Sequence, residues 1–300
     1  MSSGLRGFLL TAGAFVIWGL MPLYWRLLAE FPASYILCQR VIWAVVSLAL
    51  LLILRSPQRL PVILAHLRHP DRGLLLQALA GLLIGTNWMV FIWAVTHEHV
   101  LQASLGYFVN PLVNVVLGRL VLGERLSRAQ QVAVLLASLA VALMALRLEH
   151  LPWISLTLAG TFGSYSLLKK RTPFSSLEGL LVETSLLLPL ALVGLLLLPA
   201  PSAGSPSPWM HALLLTTGLA TVTPLLLFGA GVKHLKLGTV GLIQYLAPSG
   251  QFLLALWVFH EPLLKTQLIG FILIWTGLAI TSVDSVRQMG RNRRSALATP

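Results

Sequence analysis

Residues 81–130 read GLLIGTNWMVFIWAVTHEHVLQASLGYFVNPLVNVVLGRLVLGERLSRAQ, and they align without a gap on residues 218–267 at a constant offset of 137. Thirteen of the fifty positions are identical. Shared leucines and valines are frequent in so apolar a chain, but the identical positions include rarer residue types: Pro111 and Pro248, His97 and His234, Glu124 and Glu261, and Gln130 and Gln267. A match at one fixed offset indicates a chain built from two related halves.

The composition is that of a membrane protein. Hydrophobic residues make up 57% of the chain, charged residues 10%, and the mean hydropathy is +0.84, whereas soluble domains carry roughly 25% charged residues. Apolar runs of about 20 residues recur, each long enough to cross a hydrocarbon core as a helix. Runs such as 41–54 and 186–198 lack the alternation of a barrel strand. We therefore predict an all-α integral membrane protein.

The apolar runs predict ten transmembrane helices, at residues 7–28, 33–54, 73–95, 100–122, 130–147, 151–168, 178–199, 210–232, 238–259 and 266–284. They form a first five-helix repeat (1–149) and a second five-helix repeat (150–285), followed by a basic cytoplasmic tail (286–300) that we expect to be mobile. Because five is an odd number, the second repeat enters the membrane inverted relative to the first.

The basic residues predict the orientation. With the N-terminus in the cytoplasm, sixteen basic residues lie at the cytoplasmic ends of the spans and three at the opposite ends. The positive-inside rule then places both termini in the cytoplasm, and the inner (plasma) membrane is the expected location. The net charge of +12 is thus a topology signal, and no nucleic-acid partner is expected.

Inverted repeats are typical of secondary transporters, whose two halves exchange conformations about a site near the membrane midplane. Channels such as aquaporins also contain inverted repeats, so a channel or passive facilitator stays open as the alternative. A non-transporting membrane scaffold is the third hypothesis.

Polar residues on spans four and nine indicate where a site would lie. At helical spacing they share one face of each span: Ser104, Tyr107, Pro111, Asn114 and Gly118 on span four, with Asn110 at the edge, and Gly241, Gln244, Pro248, Gln251 and Ala255 on span nine. Each proline leaves a carbonyl free one turn earlier and kinks its helix. We expect these faces to line a cavity; the alternative is that the amides only tie helices together.

Three charged residues fall inside spans, and we expect one of them, Arg119 near the inner end of span four, to be a snorkelling anchor. Arg40 lies toward the outer end of span two and Glu183 toward the inner end of span seven, at pseudo-equivalent positions 143 residues apart. Charges inside spans are functional candidates, and Glu183 is a candidate for carrying a coupling proton. Snorkelling to the headgroups is the alternative for Arg40 and Glu183. Glu124 and Glu261 end spans, and we expect each to have a structural role at the N-terminus of the following helix.

Enzyme chemistry is not indicated. The sequence contains no nucleophile elbow, phosphate-cradling glycine loop or His-rich cluster, and the His97-Glu98-His99 run is a weak metal pattern. The one cysteine, Cys38, rules out an intramolecular disulfide. We expect no enzyme activity, no cofactor and no metal.

The motif region resembles a known family. The runs that carry the resemblance are Asn87-Trp88, Phe91–Val95, Ala103–Phe108, Asn110–Asn114 and Leu122–Arg125, with Arg40–Trp43 and Leu181–Thr184 in the second and seventh spans. They resemble the RarD-type (chloramphenicol-sensitivity) proteins of the EamA-like drug/metabolite transporter superfamily over nearly the whole chain. The resemblance implies ten helices in two inverted repeats around a central cavity, and export of small metabolites or drugs.

The sequence therefore predicts a secondary transporter that exports a small organic solute, such as an amino acid, metabolite or drug, by alternating access. The expected partners are this solute and the lipid bilayer, and a homodimer stays open. The residues expected around the solute are Arg40, Asn87, Tyr107, Asn110, Asn114, Glu183, Gln244 and Gln251, and those with structural roles are Pro111, Pro248, Glu124 and Glu261.

Overall fold

A computed structural model describes residues 3–28, 30–61, 63, 71–96, 100–145, 153–198, 207–258 and 265–298. The described residues form helices and connecting turns, with no strand among them. The helices are α1 (Ser3–Arg26), α2 (Ala33–Arg55), α3 (Arg72–Thr96), α4 (Val100–Leu122), α5 (Arg128–Ala145), α6 (Trp153–Arg171), α7 (Ser176–Leu197), α8 (Pro208–Val232), α9 (Leu237–Gln244), α10 (Leu246–Trp257) and α11 (Lys265–Ala298), with a 3₁₀ turn at Pro57–Arg59.

Every predicted span coincides with a helix, which confirms the all-α, ten-span prediction; α9 and α10 together form the ninth span. Five segments are long and apolar enough by themselves to cross a membrane: Ser3–Arg26, Ser34–Arg55, Arg72–Phe91, Ser176–Leu197 and Pro208–Val232. Shorter apolar helical segments at Gly106–Leu122, Arg128–Leu143 and Leu268–Thr281 fall in three further spans.

The two mid-span prolines have different effects on their helices. Helix α4 runs through Pro111 without interruption. The ninth span is broken at Tyr245, three residues before Pro248, where the Tyr245 amide donates to the Leu242 carbonyl at 3.3 Å in a tighter turn. Pro248 has no N–H to donate to the carbonyl of Gln244, so the helical ladder is interrupted at this turn.

The packing of the helices follows an inverted repeat. The repeat pairs α1 with α6, α2 with α7, α3 with α8, α4 with the α9–α10 pair, and α5 with α11. Under this pairing, the contact between α1 and α8 is repeated by the contact between α6 and α3. In the same way α4 packs on α6 while α10 packs on α1, and α2 packs on α8 while α7 packs on α3. Each half thus completes its core with helices of the other half. The predicted boundary at 149/150 falls outside the described residues.

The distribution of polar and apolar residues is that of a protein in lipid. Leu120, Leu196 and Leu197 are 78%, 85% and 79% exposed, while Asn114 and Glu183 are fully buried. Large exposed apolar surfaces are rare on soluble monomers, and polar side chains in a bilayer face the interior of the bundle. The outer surface is therefore the lipid-facing one.

Two predicted helix ends need correction. Helix α6 continues to Arg171 rather than ending at 168, which carries Lys169 into the bundle. The backbone of α11 stays helical to Ala298, so the segment expected as a mobile tail continues the last helix.

Candidate functional site

A cavity of about 280 Å³ lies between the two halves. Side chains of α1, α2, α3 and α4 line it from the first half, and those of α6, α8, α9 and α10 from the second. Concave sites of this kind, with a few converging polar groups, are the usual place for a small-molecule site.

Aromatic rings form a large part of the cavity wall. Seven rings line it: Phe15, Trp18, Trp25, Trp88, Phe91, Tyr107 and Phe162. They support one another edge to face, as in the pairs Trp18–Phe162 at 5.8 Å and Phe91–Tyr107 at 5.7 Å between ring centroids. Such a wall favours a planar, apolar part of a ligand.

Among the described residues that line the cavity, Arg40 is the charged one. Its Nε donates to Thr221 Oγ1 at 3.0 Å, and its guanidinium carbon lies 4.8 Å from the ring centroid of Trp25 and 5.0 Å from that of Trp88. No ion pair joins Arg40 to a carboxylate of the described residues. The side chain therefore faces the cavity rather than snorkelling to the headgroups.

The amide side chains both line the cavity and join helices. Asn87 Nδ2 donates to the Leu158 carbonyl and to Thr161 Oγ1, each at 2.9 Å. Gln251 Nε2 donates to the Trp18 carbonyl at 3.3 Å. Each of these bonds crosses between the halves, so the cavity and packing interpretations of the amides hold together.

The polar faces of spans four and nine are in contact with each other. Asn114 Nδ2 donates to Gln244 Oε1 at 2.9 Å. The helices approach closely because Gly241 has no side chain; a Cβ there would lie 2.6 Å from the Pro111 carbonyl oxygen. The Oδ1 atoms of Asn110 and Asn114 are buried and have no hydrogen-bond partner among the described residues.

Six of the eight predicted solute-contacting residues line the cavity: Arg40, Asn87, Tyr107, Asn110, Gln244 and Gln251. Asn114 is not among the lining residues; it is fully buried behind Gln244 and orients that side chain. Of the two structural prolines, Pro248 lines the cavity and Pro111 does not. Glu183 is also absent from the wall.

Glu183 lies instead in a buried ion pair. Its Oε1 is 2.9 Å from Lys169 Nζ, and its Oε2 accepts a hydrogen bond of 3.1 Å from the Tyr165 hydroxyl. Glu183 is 0% exposed and Lys169 1%. The prediction that Glu183 contacts the solute does not include this partner. A sixth span that ends at residue 168 places Lys169 outside the membrane, whereas α6 continues to Arg171.

The pairs at Arg40 and at Glu183 occupy equivalent places in the two halves. An offset of 143 relates Arg40 to Glu183, and an offset of 144 relates Trp25 to Lys169. In one half an arginine lies over an aromatic ring, and in the other a carboxylate meets an ammonium. The two halves thus differ in charge at corresponding sites.

Glu124 lies at a helix N-terminus, although not the expected one. Its two oxygens accept hydrogen bonds from the amides of Leu237 (2.9 Å) and Gly238 (3.2 Å) at the start of α9, and Lys170 Nζ is 2.9 Å away. The following helix, α5, is capped by Ser127 instead. Burial raises the pKa of the Glu124 carboxyl, but these hydrogen bonds and the lysine outweigh burial and hold that pKa below its usual range. Glu261 lies outside the described residues.

Sequence reasoning did not select several residues of the cavity. Thr221, Trp25, Phe15 and Phe162 line it but belong to no polar stripe. A usable signal was the 144-residue offset, which pairs Trp18 with Phe162 and so repeats an aromatic position across the halves. Among the described residues, no group of three or more His, Cys, Asp or Glu side chains could hold a metal ion, and the His97–His99 pattern lies outside them.

Comparison with known proteins agrees with this architecture. The model of the EamA-like transporter family matches residues 5–146. An uncharacterized transporter of Pseudomonas aeruginosa is 45% identical over 95% of this chain and 96% of its own length. The RarD protein of Streptomyces exfoliatus is 45% identical over 98% and 96%, and that of Escherichia coli 38% identical over 96% and 98%. A protein of known crystal structure, 19% identical, shares the fold with a TM-score of 0.72 over 93% of this chain and 98% of that chain.

The ten-span bundle and its central cavity are therefore those of a multi-pass membrane transporter. The chain belongs to the EamA-like transporter family, and within it to the RarD-type proteins.

Proposed function

We propose that this transporter exports a small organic solute across the bacterial inner membrane by alternating access, with the central cavity as the solute site. The observation that carries the proposal is the position of the cavity between the halves and toward one end of the bundle. It is lined by the C-terminal parts of α1 and α3 and the N-terminal parts of α2 and α4. The cavity therefore lies toward the end of the bundle at which α1 connects to α2.

The opposite end of the bundle is closed by polar contacts between the halves. Lys170 and the first amides of α9 converge on Glu124. Arg171 Nη2 donates to the Val121 carbonyl at 3.0 Å. Gln130 Nε2 donates to the hydroxyl of Thr239 in α9 at 3.2 Å. On the proposed topology, with both termini in the cytoplasm, the site lies nearer the periplasm and the closed end faces the cytoplasm.

The inverted repeat supplies a second state. Exchanging the conformations of the two halves would move the closure to the opposite end and bring the site nearer the cytoplasm. The broken α9–α10 span and the unbroken α4 are candidates for the elements that differ between the states, because they are equivalent helices with unequal backbones.

Counterflow in liposomes tests the proposal. A thermal-shift screen of amino acids, nucleosides and drugs on the purified protein supplies the solute. A carrier should then give saturable uptake and a transient accumulation of labelled solute when the vesicles are preloaded with unlabelled solute. Flux without counterflow would favour a passive facilitator, and absence of flux with a solute that binds would favour a scaffold.

Thiol labelling tests the orientation. In a Cys38→Ser background, Ala247→Cys places a thiol on the cavity wall, and Ala14→Cys, at a fully buried position, is the matched control. An impermeant maleimide should reach the Ala247→Cys thiol faster from the periplasmic side than from the cytoplasmic side. The reverse order would contradict the proposed orientation.

If Glu183 carries a coupling proton, it acts on transport without touching the solute. A carboxylate that is paired with an ammonium and buried away from the cavity has no direct contact with the solute. Uptake that does not respond to an imposed proton gradient would dismiss Glu183 as a coupling site.

A further inference from the structure

The charge balance of the cavity bears on the class of solute. Six of the nine acidic residues lie in the described part of the chain, and none of these six lines the cavity. Arg40 therefore places a positive charge in an aromatic, lipid-surrounded chamber without a carboxylate from these residues. A buried charge is costly unless it is paired or neutralised.

The two tryptophans compensate Arg40 only in part. Contacts of a guanidinium with ring faces stabilise it by less than the cost of removing an ion from water. The Nε–H is used on Thr221. The two terminal nitrogens make no hydrogen bond to the described residues, so the end of the fork that binds carboxylates in a bidentate way is left for a ligand.

The described residues of the same wall offer an ammonium group no carboxylate, only neutral acceptors such as the Oδ1 of Asn110. The other polar side chains of the wall are amides and hydroxyls, several of them already bonded to other helices. Trp25 and Trp88, whose ring faces are suited to hold an organic cation, already face Arg40. A cationic solute would also be repelled by the guanidinium.

From this geometry, and resting on the proposed transport function, we propose that the cavity selects organic monoanions: small carboxylates with a planar apolar body and no ammonium group. The carboxylate binds the terminal nitrogens of Arg40, and the planar body packs among the aromatic rings. The solute supplies the negative charge that the described residues around Arg40 lack.

A matched series on one ring tests the proposal: 3-phenylpropionate, its neutral amide, the zwitterion phenylalanine and the cation phenethylamine, with inorganic phosphate as a ring-free anion. Binding to the purified full chain is measured by isothermal titration calorimetry. One charge-assisted contact is worth about tenfold to a hundredfold in affinity. We expect the acid to bind more tightly than the amide by that factor, and the amine and phosphate to bind weakest.

Variants identify the residue responsible. Arg40→Gln should remove the preference for the acid over the amide while retaining the amide's affinity, and Arg40→Lys should retain part of the preference. Arg119→Gln, at an exposed arginine outside the cavity, is the matched control and should behave as wild type. Retention of the amide's affinity also shows that Arg40→Gln has folded.

The proposal would be overturned by equal binding of acid and amide, by a preference for the amine, or by an unchanged preference in Arg40→Gln. Failure to bind the acid up to its solubility limit would do the same. A counterflow assay separates this outcome from failure of the proposed transport function. Transport of a neutral or cationic solute would support the transport function and reject only the selectivity for anions.

Discussion

Replacing Glu183 with glutamine leaves the Lys169 ammonium without a counter-charge in the interior of the bundle. The two groups are 2.9 Å apart, and their side chains are 0% and 1% exposed. Removing one partner of a buried pair costs about 3–5 kcal/mol, because the remaining charge stays desolvated. The amide oxygen of glutamine can still accept from Tyr165, so the lysine accounts for the loss. We expect Glu183→Gln to destabilise the protein by about 3–5 kcal/mol.

A double-mutant cycle isolates the pair. Lys169→Met/Glu183→Gln contains no charge at this site, so we expect it to regain most of the stability that each single variant loses. Thermal unfolding and denaturant titration of the purified protein in detergent, followed by circular dichroism, measure the three variants against wild type.

A less buried pair in the same protein is the control. Glu178 lies 3.6 Å from Arg59, with side chains 14% and 57% exposed. Glu178→Gln should therefore cost less than about 1 kcal/mol. Two outcomes would refute the reasoning: Glu183→Gln as stable as wild type, or single-variant losses that simply add in the double variant.

Further predictions concern the closed end and the helix crossings. Because the folded-state pKa of Glu124 is lowered, its contribution should be present above the unfolded value of about 4.3 and be lost as the pH falls through the folded value; the Tm of wild type should drop there more than that of Glu124→Gln, and parallel pH profiles would contradict this. Gly241→Ala should cost about 1–3 kcal/mol by overpacking against α4, whereas Gly160→Ala, with nothing within 4 Å of the added Cβ, should not destabilise; equal Tm values would reject the close crossing. Gln251→Ala should weaken solute binding directly, and Asn114→Ala should do so through the loss of its bond to the cavity wall; unaltered counterflow in both would dismiss the polar stripes as a solute surface.

The helices and the inverted repeat could be predicted because each depends on local composition or on sequence self-similarity. Apolar length alone predicts a span, and the 137-residue offset requires only counting. Six of the eight residues predicted to contact the solute line the cavity. They could be predicted because a polar side chain in a membrane span must face inward.

Pairing between distant helices could not be predicted in this way. Lys169 follows an apolar run, where a lysine normally serves as a topology anchor. Whether such a side chain turns outward or inward depends on a partner in α7, and Glu183 is that partner. Likewise Glu124 precedes α5 in sequence but caps α9, because the start of α9 lies beside it in the folded bundle.

The unequal pairs at Arg40 and Glu183 also bear on whether one half of the chain could stand in for the other. A bundle made from two copies of the first half would contain two arginines at these places and no glutamate, and one made from two copies of the second half would contain two buried ion pairs and no cavity arginine. The two halves are therefore not interchangeable: each carries a charged arrangement that the other lacks.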